Sequence, residues 1–408
     1  MDQALGPDGV ARLEAYFDRI GTVLNDDRRR ASFATYALGL MGEGDRKSVE
    51  PIAARASGDP IATQRAHDRL LHFAVDSKWS DRNVRHEAAS YGLAAMTTRG
   101  PIETWIVDDT GFLKQGSHSV GVQRQYTGSA GKVTNCQIGA SLTVATRTEH
   151  LPIDFELYLP HSWTDSPARR AEARIPDEVT FKTKPELALQ MIRRAREDKV
   201  PLGVVLGDTA FGTSSDFRLA LRRMGMDYAL AVTKTTKVWR MDRLGRRRGA
   251  PLPIEELARS PQFKYRRCTW REGTRKSLSS RFALERIVPF HDDGVPPSVR
   301  EDVLVLMEWE DHESVPTKFY FVRIDPGRQL STKQLVRILK QRWRTERVYE
   351  DLKGELGFDH YEGRRFPGWH HHVSVALACF AFIVAERGRR FPPSTGAQAQ
   401  AHAFQLAA

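Results

Sequence analysis

Apolar residues recur at spacings of three and four through the first hundred positions, as in Val10-Ala-Arg-Leu-Glu-Ala-Tyr-Phe17 and in Ile61 to Phe73. That period predicts helices, so residues 1–98 read as a helical N-terminal domain. Arg28, Arg29, Arg30, Arg65, Arg69, Arg82 and Arg85 fall on the other faces. A DNA-binding surface and a solvated helical face both fit that placement, and no clean helix-turn-helix stands out. At Pro101 the period changes to strands: Thr104 to Asp108, Asn135 to Ala145, and Leu151 to Leu159. A helix near 185–198 then leads into a strand ending at Asp208, a helix at 215–225 and a strand at 227–232. Strands in succession that then alternate with helices describe a mixed α/β sheet covered by helices.

The texture shifts again at about 234. Through 316, short strand-like runs such as Val303 to Trp309 alternate with basic clusters that include Arg246, Arg247 and Arg248. This segment reads as a β-rich basic insertion between a first part of the core (99–233) and its completion (317–390). Trp239 and Trp270 lie among its arginines. They are compatible with stacking on unpaired bases, but core or edge-strand packing is the reading the sequence favours. Ser331-Thr-Lys-Gln334 offers a capping box to open one long helix. Val373 to Glu386 is an apolar helix of about four turns, too short to span a bilayer and therefore packed. After Arg390, Pro, Gln and Ala predict a frayed tail over 391–408.

Composition changes the picture in one respect. The 408 residues, 40% hydrophobic and 28% charged, are ordinary for a globular chain, but the formal net charge is +11 and the pI is about 9.6. Such a field favours a polyanionic partner, nucleic acid first. Arginine outnumbers lysine 47 to 15; bidentate phosphate contacts and a GC-rich genome would each produce that bias. The N-terminus lacks the basic start and apolar core of a signal peptide, so a cytoplasmic protein, nucleoid-associated when bound to DNA, is expected, with no membrane partner. Cys136, Cys268 and Cys379 share no short spacing and form neither a zinc motif nor a disulfide framework.

The candidate chemistry lies in three acids. Two apolar, β-branched runs end in carboxylates, Thr104-Trp-Ile-Val-Asp-Asp109 and Gly203-Val-Val-Leu-Gly-Asp208. The third, Glu346, sits in a helical segment in which Leu339, Arg342, Glu346, Tyr349 and Lys353 recur at spacings of three and four and so share one face. Two strand-end aspartates and a helical glutamate make an oxygen ligand set for two Mg²⁺ ions, with Mn²⁺ able to substitute. Arg342 and Lys353 could then hold DNA phosphates beside the acids. Either Asp108 or Asp109 could be the first ligand, since neighbouring strand residues point to opposite faces. His370 to His372 have no further ligands at suitable spacing and read as structural or DNA-proximal.

These residues sit in longer motifs: Trp105-Ile-Val-Asp-Asp-Thr-Gly-Phe-Leu-Lys114, Arg124-Gln-Tyr-Thr-Gly-Ser-Ala-Gly-Lys-Val-Thr-Asn-Cys-Gln137, Leu157-Tyr-Leu-Pro160 with Trp163, Gly207-Asp-Thr-Ala-Phe-Gly212, Arg342-Trp-Arg-Thr-Glu-Arg347, Leu356-Gly-Phe-Asp-His-Tyr-Glu-Gly-Arg364 and Gly368-Trp-His-His-His372. Together they resemble a DDE-type insertion-sequence transposase, close to the insertion-sequence 701 family within the insertion-sequence 4-like group, from about residue 30 to 388. The resemblance implies an RNase H-like core interrupted by a β insertion before the last acid. It implies a Mg²⁺-dependent endonuclease and strand transferase that cuts at terminal inverted repeats and joins the ends to target DNA. It further implies a homodimer in a synaptic complex. Carried over by residue, the catalytic and metal-binding acids are Asp109, Asp208 and Glu346, with Asp109 preferred to Asp108. Arg342, Glu346 and Lys353 match the family's Tyr-Arg-Glu-Lys signature, whereas Leu339 stands where its tyrosine would be. The alternative is a catalytically silent, element-derived protein that binds the same DNA. A dehalogenase-type phosphatase would need an Asp-x-Asp that Val107-Asp-Asp-Thr-Gly111 does not supply.

Overall fold

The computed structural model describes residues 6–242, 246–271, 277–290 and 301–390; the tail expected to fray, 391–408, lies outside the described residues. The N-terminal helices are α1 (Pro7–Leu24), α2 (Asp27–Met41), α3 (Val49–Arg55), α4 (Pro60–Leu71) and α5 (Asp81–Thr97). Their starts are written locally. Asp26, Asp59 and Ser80 accept hydrogen bonds from first-turn amides of α2, α4 and α5, and Pro7 and Pro60 occupy first-turn positions that need no donor.

The sheet begins with β1 (Thr104–Leu113), β2 (Gln123–Thr127), β3 (Lys132–Ala145) and β4 (His150–Tyr158). Helix α6 (Lys184–Glu197), β5 (Val204–Gly207), α7 (Ser215–Arg223) and β6 (Tyr228–Val232) follow. β1 pairs antiparallel with β3 and parallel with β5, β5 pairs parallel with β6, and β4 lies antiparallel on β3. The fold is mixed α/β and RNase H-like. β1 at its centre is fully buried through Trp105, Ile106 and Val107, as strands covered on both faces must be.

The basic insertion supplies β7 (Lys237–Met241), β8 (Arg247–Pro253), α8 (Ile254–Ala258), β9 (Arg266–Arg271), β10 (Leu278–Pro289) and β11 (Val303–Trp309), and β12 (Lys318–Arg323) closes it. These strands are not a separate layer. β12 adds to the edge of β6, and β11, β10, β7 and β8 follow in turn, so one twelve-stranded sheet runs through both segments.

Helices α9 (Thr332–Leu339), α10 (Trp343–Leu356) and α11 (Phe366–Arg390) complete the chain. Ser331 and Gln334 form the expected capping box. The single long helix expected after it is instead broken by a 3₁₀ turn at Lys340–Arg342. Neither proline nor glycine causes the break; tertiary contacts hold it. The Lys340 ammonium reaches both Glu308 oxygens at 2.6 and 2.8 Å and lies 4.4 Å from the Trp270 ring centroid, and Gln341 donates to Glu103. Gly357 ends α10 at φ 60°, a left-handed position suited to glycine.

α11 is longer than the four turns expected. At 25 residues it is long and apolar enough to cross a bilayer, yet 94% of its most apolar window is buried inside the protein. It is the central core helix, with α1, α2 and α5 packed around it. Tyr16 donates to the Ala378 carbonyl at 2.8 Å, and Arg12 grips Glu386 through Nε and Nη2 at 2.8 and 2.6 Å. One hydrophobic core therefore runs from the first helix to the last.

Candidate active site

β1 does not end at its acids. β3 pairs with all ten of its residues, setting Asp108 opposite Ser141, Asp109 opposite Ala140 and Leu113 opposite Cys136. Both aspartates therefore sit mid-strand, and alternation sends their side chains to opposite faces. Asp108 shares its face with Thr110 and Phe112, against α9, α10 and α11. Asp109 shares its face with Trp105 and Val107, against α6.

On the first face one cation joins two carboxylates, and a third carboxylate lies within reach of its charge. Arg342, the last residue before α10, donates from Nη1 to Asp108 at 2.8 Å and from Nη2 to Glu346 at 2.8 Å. Its charge also feels Asp208, and these acids hold the guanidinium proton more tightly than usual against the cost of burial. Burial pushes the Asp108 carboxyl up to about 7; Asp208 and Asp109 push the same way, and Arg342 and the Asp109 amide oppose them. Asp208 stands directly after β5, as the sequence predicts, and caps a single helical turn by accepting from the Ala210 amide at 2.9 Å. That turn rides on β6: a Cβ at Gly212 would meet the Ala231 carbonyl oxygen at 1.8 Å, so only glycine lets it sit so close. Glu346, in the first turn of α10, leaves 58% of its side chain exposed.

Asp109, the acid preferred on resemblance, does not join this group. Its carboxylate takes a 2.9 Å ion pair from Lys184, which opens α6 on the opposite face of the sheet. The physical reason is the strand's two-residue period, which allows one member of the pair, and not both, to face α10. Lys184 was not foreseen, because no local motif links it to β1.

The rest of α10 is anchored on the same face. Tyr349 shares a 2.6 Å hydrogen bond with Ser141, the residue opposite Asp108, and its ring meets Phe155 edge-on. Lys353 donates to Thr110 at 2.9 Å, to the Gly111 carbonyl at 2.7 Å and to Ser129 at 3.2 Å. Its ammonium thus ties α10 to β1 and to the loop at 128–131; burial lowers its proton affinity. Leu339 precedes the break and packs in the core.

Other expected contacts sit elsewhere. Trp270 packs edge-on against Phe282 beneath Lys340. Trp239 lies beside Phe290 with Arg247 5.5 Å from its ring centroid. Arg246 pairs with Asp242, and Arg246, Arg247 and Arg248 are exposed on or just before β8. β8 lies seven strand positions from β1, on the order of 30 Å at the usual interstrand spacing. His370, His371 and His372 are buried in α11. Trp343 was missed: it is 46% exposed, three residues before Glu346, with Arg271 5.8 Å from its ring centroid. Its position among arginines was the available signal.

The donor set suits a hard divalent cation, since all three acids offer oxygen and a cation already compensates them. As the side chains lie, no three His, Cys, Asp or Glu groups among the described residues close on a common point; the guanidinium stands between Asp108 and Glu346. Residues 19–277 match the family model described as DDE superfamily endonuclease, more than half of the chain. The chain belongs to the DDE superfamily. That match takes in Asp108, Asp109 and Asp208 of this DDE chain, and a second model, transposase DDE domain, matches residues 182–381 with Asp208 and Glu346. A relative in Microchaete diplosiphon, named as a probable transposase for insertion sequence element IS701, is 25% identical over 224 residues. The match spans 55% of this DDE chain and 54% of that relative, about half of each.

Proposed function

We propose that the chain is a DNA transposase that cuts at the ends of an insertion sequence and joins the freed ends to target DNA. The observation that carries this reading is the bridging of Asp108 on β1 and Glu346 on α10 by the Arg342 guanidinium, with Asp208 at the end of adjacent β5 close enough for its charge to act on the same cation. We assign the metal-binding roles to these three, with Asp108 in the place that resemblance gives to Asp109. Two Mg²⁺ ions, or Mn²⁺ in their stead, would when bound activate the attacking oxygen and stabilise the leaving one. The chain's own residues do the rest. Asp108 and Asp208, on adjacent strands, fix one side of the site, and α10 brings Glu346 across from the other. Lys353 and Tyr349 hold that helix to β1 and β3. Exposed arginines of the insertion, Arg246, Arg247 and Arg248 among them, suit duplex phosphates away from the site of cutting. A homodimer that pairs two DNA ends belongs to the same reading.

The test is nicking of a supercoiled plasmid carrying the chromosomal segment around the gene. Wild type nicks it with Mg²⁺ or Mn²⁺ and not in EDTA, and Asp208→Asn loses at least about a hundredfold. Binding of the plasmid without metal-dependent nicking would instead support the silent DNA-binding reading.

A further inference from the structure

Arg342 holds the position that a metal ligand set would need cleared. It bridges Asp108 and Glu346 at 2.8 Å each, with 35% of its side chain open to solvent. Its backbone lies in the 3₁₀ turn that Lys340 and Gln341 hold to Glu308 and Glu103. The start of the side chain is therefore fixed, while its end reaches a partly open site. A guanidinium bridging Asp108 Oδ2 and Glu346 Oε1 competes with a divalent cation for those oxygens and for the charge of both carboxylates. The alternative partner for a planar two-pronged donor is a phosphate.

From this geometry we propose that Arg342 is a removable lock on the acid site. In the DNA-free protein it occupies Asp108 and Glu346 and keeps divalent cations weakly bound. A DNA phosphate draws the guanidinium away and frees both carboxylates for metal. Metal loading and DNA binding are then coupled, each strengthening the other by the same factor. The inference rests on the proposed function for the identity of the acids, but it concerns when the site loads and not what it cuts.

The experiment measures Mn²⁺ binding to the folded, full-length chain by titration calorimetry, or by loss of the free-ion electron paramagnetic resonance signal. Without DNA, Arg342→Gln should bind Mn²⁺ about tenfold more tightly than wild type, roughly 1.4 kcal/mol. Arg347→Gln removes a cation one turn away that pairs with Glu350 and Asp351. It should change the affinity by less than about twofold, which separates local occupancy from net charge. A short duplex should tighten Mn²⁺ binding to wild type and leave Arg342→Gln unchanged. Equal Mn²⁺ affinity of wild type and Arg342→Gln without DNA would overturn the lock while leaving the proposed function intact. So would an Arg347→Gln effect as large as that of Arg342→Gln. If neither wild type nor Arg342→Gln binds Mn²⁺ even with DNA, the metal-dependent function itself fails and the lock with it.

Discussion

His372 illustrates how a side chain that invites a metal reading serves the core. Its Nδ1 faces the Tyr36 hydroxyl at 2.9 Å and its Nε2 the Phe358 carbonyl at 3.2 Å. The carbonyl can only accept, so Nε2 carries the proton and Nδ1 accepts from Tyr36. Burial lowers this imidazole to about 4 and that of His150 to about 3. A histidine depressed in the fold takes its proton first in the unfolded chain. Its contribution is complete above the ordinary value near 6.5 and is lost as pH falls toward 4. Urea titrations should therefore show stability dropping between those pH values, by up to about 1.4 kcal/mol per pH unit for each such histidine. In His372→Phe that slope should be shallower; an unchanged slope would remove His372 from the account. The sequence made the candidate acids legible, because carboxylates beside buried apolar runs are conspicuous. It could not decide between Asp108 and Asp109. The face each takes depends on which side of β1 receives α10, a tertiary fact with no local signal.

At the scale of elements, the core strands and the capping box were readable because each depends on neighbours in sequence. The break at Lys340–Arg342 was not. The periodicity runs straight through it, and the residues that hold it come from far along the chain: Glu308 and Trp270 on distant strands, Glu103 just before β1. Lys340 and Glu308 form an ion pair in which the carboxylate is fully buried and burial lowers the lysine's proton affinity. Removing one partner of such a pair strands the other, at a cost of about 3 kcal/mol. Lys340→Met should lower stability by that order in chemical denaturation, and Lys340→Met with Glu308→Leu should restore most of it. A single substitution without effect would mean that other contacts hold the turn. The same reasoning explains why the insertion was readable as β-rich but not as an extension of the main sheet: register between β12 and β6 is written in neither strand alone.

For the whole molecule, the helical segment 1–98 and the completion 317–390 were legible as separate stretches. Their union around α11 was not, since it joins the two ends of the chain. Tyr16, Tyr36 and Arg12 bond directly to α11 or its side chains, and α5 packs on both α11 and β4. A chain lacking residues 7–97 would expose the apolar face of α11. It should show no cooperative thermal transition by circular dichroism; a sharp transition near that of the full chain would make the N-terminal helices a separable domain. The joined architecture gives α10 a firm base from which Glu346 reaches toward the other acids. We assign Asp108, and not Asp109, to the site with Asp208 and Glu346. The most direct test of that assignment is metal-dependent plasmid nicking by Asp108→Asn and Asp109→Asn, compared at equal folded concentration. Asp108→Asn should lose at least about a hundredfold, while Asp109→Asn should stay within about tenfold of wild type. The reverse order of losses would contradict the assignment and return the role to Asp109.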